Sequence, residues 1–290
     1  VQKAAQEAHL LRQLNHNNVV KYYESQILQD EVPGCMRLMI VMEYADGGDL
    51  QLLLDRHKRV DRTLGEERAM FVFVQLCSAI RHVHSRRVVH RDLNPRNIFL
   101  TKNDVVKLGD FGISTAFSTN TQMAKTFLGT PAYLAPEVIN EEPYGQSADI
   151  WAMGVIIYVM MTNEEPFRLQ GGGMHQLLYR ITEMPAPTLS EDVASRACAD
   201  LCKNMLEKNP YYRPSIINIL REKYIQTQIT LAMDFFPHIS ELARLERIRV
   251  EKPNDVELQC EEIDQLLKLN EDKLSEDCQF KTCRSEELFL

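Results

Sequence analysis

Apolar residues recur at helical spacing over most of this chain and at strand spacing in only a few short stretches. Ala4, Ala5, Ala8, Leu10, Leu11 and Leu14, with Glu7 among them, predict a helix that ends at the polar cluster Asn15-His16-Asn17-Asn18. Val19-Val20-Lys21-Tyr22-Tyr23 and the run from Leu38 to Tyr44 predict two strands with a Pro33-Gly34 turn between them. Asp46-Gly47-Gly48-Asp49 breaks that pattern, and helices follow through Leu50 to Arg56 and Glu66 to His84. Ile98-Phe99-Leu100 and Val105-Val106-Lys107-Leu108 flank Lys102-Asn103-Asp104 as a hairpin would. Residues 110 to 137 are irregular and rich in Gly, Ser and Thr, and a connection of that length is either functional or disordered. Four further helices are predicted near 147–161, 173–182, 194–206 and 215–222.

The two ends differ from this middle. The opening helix pattern starts at Val1 with no capping residue before it, so the chain reads as truncated at its N-terminus. Residues 241–290 hold 14 Asp or Glu against 8 Lys or Arg, which places -6 of the net charge of -8 in this stretch. Beyond about residue 223, Ile239, Leu242, Leu245 and Ile248 form one apolar stripe, and Ile263, Leu266, Leu267 and Leu274 another, neither long enough for a coiled coil. Two readings stay open: a docked or partly disordered acidic tail, or a dimerising or partner-binding helix.

Charge and cysteine usage narrow the function classes. A net -8 leaves no basic excess to neutralise a nucleic-acid backbone. The most apolar helix candidate, Ile150 to Met161, is far short of the roughly 20 residues that cross a bilayer. No nucleic-acid or membrane partner is therefore expected. Seven cysteines show no paired or zinc-type spacing, which suits a reducing compartment, the cytoplasm or, as the alternative, the nucleus.

Three segments carry chemistry. His90-Arg91-Asp92-Leu93-Asn94-Pro95-Arg96-Asn97 precedes the hairpin, Asp110-Phe111-Gly112 follows it, and Ala135-Pro136-Glu137 closes the long irregular stretch after Gly129-Thr130-Pro131. Phosphoryl transfer needs a carboxylate to position the incoming hydroxyl and cations to neutralise the transferring group. Asp92 suits the first task, while the amide oxygen of Asn97 and the carboxylate of Asp110 suit Mg²⁺. One Asp-Phe-Gly arises readily by chance; the three segments in this order do not.

On these motifs the chain resembles the eukaryotic protein kinase family over about residues 1 to 222. The resemblance implies an α+β, protein kinase-like fold with an incomplete N-lobe over 1–45, a mainly helical C-lobe over 46–222, and an acidic C-terminal extension over 223–290 that is helical or partly disordered. It implies ATP and Mg²⁺ as cofactors, with Mn²⁺ as a substitute, and serine or threonine hydroxyls of proteins as substrates. Asp92 then corresponds to the catalytic aspartate, and Asn97 and Asp110 to the metal ligands. Glu7 corresponds to the helix glutamate that pairs with a strand lysine, Met42 to the gatekeeper, and Glu43 to Ala45 to the adenine-contacting hinge. Asp49 approaches the ribose or a basic substrate residue. Leu11, His90 and Phe111 match regulatory-spine positions. Asp149 matches the aspartate that supports the catalytic loop, and Glu137 with Arg213 a buried ion pair. Arg91 beside Asp92 implies an activation loop ordered by phosphorylation, with Thr126 as the acceptor. The runs His16 to Ser25, Ile40 to Leu50, Lys107 to Ser114 and Lys125 to Pro131 are similar to the NIMA-related (NEK) group. Ile113 resembles the residue of kinases that favour threonine.

The pattern departs in two places. No Gly-x-Gly-x-x-Gly run and no Val-Ala-Ile-Lys-like lysine occurs, so the family's strands β1–β3 are expected to be absent, Glu7 to lack its partner, and activity to be impaired. Asn94 stands where the family has lysine, which removes a positive charge near the γ-phosphate and predicts a slower reaction. Arg96 occupies a slot that is acidic in kinases preferring basic substrates. The competing function is a pseudokinase or kinase-derived scaffold, binding partners or itself through the C-terminal extension.

Overall fold

A computed structural model describes residues 14–29, 36–110, 131–168 and 173–233, all within the unit Val1–Ile239. Strands β1 (Tyr22–Gln29) and β2 (Met36–Met42) pair antiparallel, with Tyr22 opposite Met42 and Gln29 opposite Met36, and a bulge at Tyr22/Glu24. The first strand starts three residues later than the pattern predicts and runs longer. Val19 instead makes a single parallel bridge to Leu108. A second sheet orders β3 (Gly48–Asp49), β4 (Ile98–Leu100) and β5 (Val106–Leu108), all antiparallel. Its period of two puts Ile98, Leu100, Val106 and Leu108 in the core and turns Phe99 and Lys107, directly opposite each other, to the other face.

The expectation of an N-lobe without β1–β3 is contradicted: β1, β2 and β3 stand in the structure ahead of the first described helix. That expectation rests on missing motifs, a glycine-rich run and a lysine. Strands need something else, namely β-branched and aromatic residues on a pleated surface with a turn between them. The impairment of activity argued from the loss of those strands falls with it.

The rest is helical: α1 (Leu50–Arg59), α2 (Glu66–Ser85), α3 (Pro136–Ile139), α4 (Gln146–Thr162), α5 (Met174–Glu183), α6 (Arg196–Met205), α7 (Ile216–Arg221) and α8 (Lys223–Met233). Three N-caps are side chains whose oxygen accepts from a first-turn amide: Asp49 from Leu52, Ser195 from Cys198 and Ser215 from Asn218. α4 is apolar on all sides and correspondingly buried, with Trp151, Met153, Ile156 and Ile157 excluded from solvent. It lies against α2 and α6. At its crossing with α6 a Cβ on Gly154 would stand 3.0 Å from Met205 Cβ and Leu206 Cδ2, so the approach suits glycine. α2 presents Met70, Phe73, Leu76, Cys77 and Ile80 to this core and also meets α7, α8 and β5. The catalytic-type motif falls between α2 and β4, directly on that rigid base.

Candidate functional site

The loop from His90 to Asn97 is shaped by one buried carboxylate beneath it. Asp149, in the first turn of α4 and 2% exposed, accepts from the His90 amide at 2.9 Å and the Arg91 amide at 3.1 Å. It also receives the His84 ring at 2.8 Å. Those contacts hold Arg91 in the left-handed region at φ 72°, an uncommon conformation for a side chain of this size. The His90 ring, fully buried, bridges through Nε2 to the Gly109 carbonyl at 2.9 Å. Burial is the main influence on that imidazole: it favours the neutral ring and lowers its pKa below the usual value, against the opposing pull of Asp149, which favours the protonated ring.

Above this base stands an exposed carboxylate oriented by amides. The Asn97 side chain donates to the Asp92 carbonyl at 2.7 Å and to Asp92 Oδ2 at 3.1 Å. The Asn94 side chain donates to Asp92 Oδ1 at 3.0 Å, while its own oxygen caps a short 3-10 turn at Arg96. Each carboxylate oxygen of Asp92 thus receives one amide. Asn94 takes part in aiming Asp92, a role its residue type alone does not reveal. Arg96 is exposed.

Asp110 is brought to this loop through the backbone. The Gly109 amide donates to the Asn97 carbonyl at 3.0 Å, and a Cβ at Gly109 would stand 2.8 Å from the Phe99 ring, so only glycine allows this approach. Asp110 follows at φ 52° with its carboxylate exposed. With its nitrogen given to Asp92, Asn97 has an amide oxygen left, and that oxygen with the Asp110 carboxylate is a hard oxygen set that fits Mg²⁺. Among the described residues no group of three or more His, Cys, Asp or Glu forms a metal site by itself. That is compatible with a metal whose remaining ligands come from phosphates and water.

Met42, Glu43 and Ala45 lead from β2 toward β3. The Glu43 amide donates to the Lys21 carbonyl at 2.7 Å, and its side chain pairs with Lys107 at 2.6 Å. Phe99 and Lys107 therefore line the same sheet face as this connection, and neither was singled out by motif. Their signal was a non-core residue between two apolar ones in each short strand. Asp49 spends one oxygen on capping α1, at 2.7 Å from the Leu52 amide. A cavity of about 30 Å³ beside Asp92 is lined by Arg91, Tyr133, Leu134, Val138 and Tyr144.

Glu137 and Arg213 stand apart from these groups. They form a two-point pair at 2.6 and 2.7 Å, both almost wholly buried. The guanidinium also donates to the carbonyls of Glu207, Ser147 and Lys208 and lies 5.0 Å from the centre of the Trp151 ring. Glu7, Leu11, Phe111 and Thr126 lie outside the described residues.

Comparison with known proteins agrees with this geometry. The family model described as protein kinase domain matches residues 1–225. Serine/threonine-protein kinase Nek4 of Mus musculus is 38% identical over 231 residues, covering 80% of this chain and 28% of its own length. Serine/threonine-protein kinase Nek5 of Homo sapiens is 36% identical over 224 residues, 77% of this chain and 30% of its own. Serine/threonine-protein kinase Nek1 of Mus musculus is 37% identical over 232 residues, 79% of this chain and 18% of its own. The chain thus spans less than a third of the length of these relatives. By the family match and these identities, the chain belongs to the eukaryotic serine/threonine protein kinases and is closely related to the NEK kinases.

Proposed function

We propose that this chain transfers the γ-phosphoryl group of ATP to serine or threonine hydroxyls of proteins. The observation that carries the reading is Asp92: an exposed carboxylate with each oxygen held by an amide, on a loop tied by two hydrogen bonds to Gly109, the residue before Asp110. In this reading Asp92 orients the acceptor hydroxyl and takes its proton as that oxygen bonds to the γ-phosphorus and the bond from that phosphorus to the leaving ADP breaks. Asn97 and Asp110 hold Mg²⁺ through oxygen. When bound, the metal neutralises phosphate charge. Phe99 offers a flat apolar floor for the base beside Met42, Glu43 and Ala45, and Asp49 offers its second oxygen to the ribose or a basic substrate side chain. Asn94 in place of a lysine supplies orientation without charge, so the reading keeps a moderate rate.

Several assignments outside the described residues belong to the same reading. Phosphorylated Thr126 would offer three acceptor oxygens to Arg91 and order the loop. Leu11, His90 and Phe111 would occupy regulatory-spine positions, and Glu7 the position of the helix glutamate that pairs with a strand lysine. The division into 1–45, 46–222 and 223–290 also belongs here, with partner or self-association assigned to the apolar stripes of the last part. Three buried free thiols, Cys77, Cys198 and Cys202, suit a reducing cytoplasmic or nuclear setting. No helix among the described residues is long and apolar enough to cross a membrane.

The test is phosphoryl transfer from ATP to serine- and threonine-containing peptides with and without Mg²⁺, beside the variant Asp92→Asn. The reading expects metal-dependent transfer that falls about 10²- to 10⁴-fold in the variant. Equal transfer by both proteins would remove Asp92 from the chemistry, and no transfer by either would favour the scaffold alternative.

A further inference from the structure

The ion pair between Glu43 and Lys107 is unlike the other lysine–carboxylate pairs among the described residues. Its side chains are 26% and 15% exposed, and the atoms are 2.6 Å apart. Lys58 with Glu164 and Lys102 with Asp46 have exposures between 43% and 77%. Exposed pairs of that kind contribute little, whereas an enclosed one leaves an unpaired charge when broken. The pair also joins two places that the proposed chemistry needs in register. Glu43 is the first residue beyond β2, in the connection assigned to the base. Lys107 is the central residue of β5, and Asp110 follows that strand two residues beyond its end.

The rest of the contacts make this join rigid. Glu43 Oε1 takes Lys107, and Oε2 accepts from the Lys21 amide at 3.1 Å. The Val20 amide in turn donates to the Leu108 carbonyl, and the Leu108 amide to the Asn18 carbonyl, each at 2.8 Å. Asn18, fully buried, reaches the Val106 carbonyl at 3.0 Å with its side chain. The segment before β1 is thus laced to β5, and Glu43 is fixed to both. On the same sheet face Lys107 stands opposite Phe99.

We propose that Lys107 is a positioning residue: paired with Glu43, it sets the spacing between the base-binding connection and the metal-binding Asp110. The inference rests on the kinase reading and adds a residue to it. The ammonium does not touch the reacting atoms. Its loss leaves the half-buried Glu43 carboxylate without a cation and with only the Lys21 amide, which disturbs the connection more than losing both charges does.

Three proteins decide it: the full chain, Lys107→Met, and Lys107→Met with Glu43→Gln. Steady-state transfer is measured against ATP, free Mg²⁺ and peptide in turn, and hydrogen exchange of residues 42–46 and 106–110 is followed without nucleotide. Lys107→Met is expected to raise the KM for ATP and the Mg²⁺ needed for half-maximal rate by about tenfold, with the peptide KM unchanged. Exchange in both segments should quicken. The double variant should recover most of the lost ATP affinity, because the stranded carboxylate is gone. An unchanged KM for ATP in Lys107→Met, or a fall in kcat alone, overturns the inference and leaves the kinase reading standing. A double variant as weak as the single one overturns it too. A full chain that transfers nothing overturns the kinase reading and this inference together.

Discussion

Two pairs of acidic residues in this molecule share a residue type and little else. Asp149 and Glu137 are 2% exposed, and every hydrogen bond given to them comes from a fixed donor: two loop amides and an imidazole for the first, one guanidinium for the second. Asp92 and Asp110 are exposed, and the partners of Asp92 are side-chain amides that orient it without neutralising it. A buried carboxylate must be matched in full, or it costs several kcal/mol. An exposed one is free to serve an incoming hydroxyl or metal. In the proposed reading the difference teaches that stability and chemistry are carried by separate acids, linked through the loop that Asp149 holds and Asp92 occupies.

That separation can be strained hardest at the buried pair. Arg213→Met leaves Glu137 enclosed without its cation and also removes donors to three carbonyls. Unfolding free energy from urea titration should drop by about 3–5 kcal/mol. Adding Glu137→Gln should return part of it, since the stranded charge is then absent.

A buried base sharpens the comparison from the other side. His82 is held neutral by burial first and then by Arg86 and Arg81, with its pKa lowered to about 3. In the unfolded chain it titrates near 6.5. Its share of stability is therefore complete above about pH 6.5 and is lost as pH falls toward about 3, because the unfolded state takes the proton first. Between pH 7 and pH 5 the loss should be about 2 kcal/mol, and His82→Phe should flatten that part of the curve.

Glu66 lies between the two classes and should show the smallest effect. Burial alone would raise its pKa, but the Ser195 hydroxyl and amide and the Tyr224 hydroxyl outweigh it and hold it below the usual value. Its contribution is present above the unfolded value of about 4.5 and is lost as pH falls below it. Glu66→Gln keeps acceptor and shape and should cost about 1 kcal/mol or less in the same titration.

What the amino-acid pattern made legible was local. The apolar run inside α4 and the polar breaks on either side place that helix within one residue of its observed ends, 146 and 162. The hairpin of β4 and β5 was legible for the same reason, since its strands are separated only by a turn. β3 was not, because two residues become a strand only by pairing with Leu100 and Phe99, far along the chain. The expected absence of β1–β3 failed because motif residues and strand-forming residues answer to different physics. The site divides likewise. Asp92, Asn97 and Asp110 stand out through their spacing, whereas His84 under Asp149 and Lys107 on Glu43 are more than sixty residues from their partners. Only folding shows those contacts. The use of Asn94 to aim Asp92 depends on a side-chain direction that no spacing encodes.

The measurement that bears most directly on two separate sets of acids is a paired one. Phosphoryl transfer and urea unfolding are recorded on the same preparations of the full chain, Asp92→Asn and Asp149→Asn. The account predicts that Asp92→Asn loses about 10²- to 10⁴-fold in rate with its unfolding free energy unchanged. It predicts that Asp149→Asn loses about 1–3 kcal/mol of stability, because a buried amide of His90 or Arg91 loses its acceptor. A stability loss in Asp92→Asn as large as that in Asp149→Asn, or a transfer rate untouched by Asp92→Asn, would contradict it.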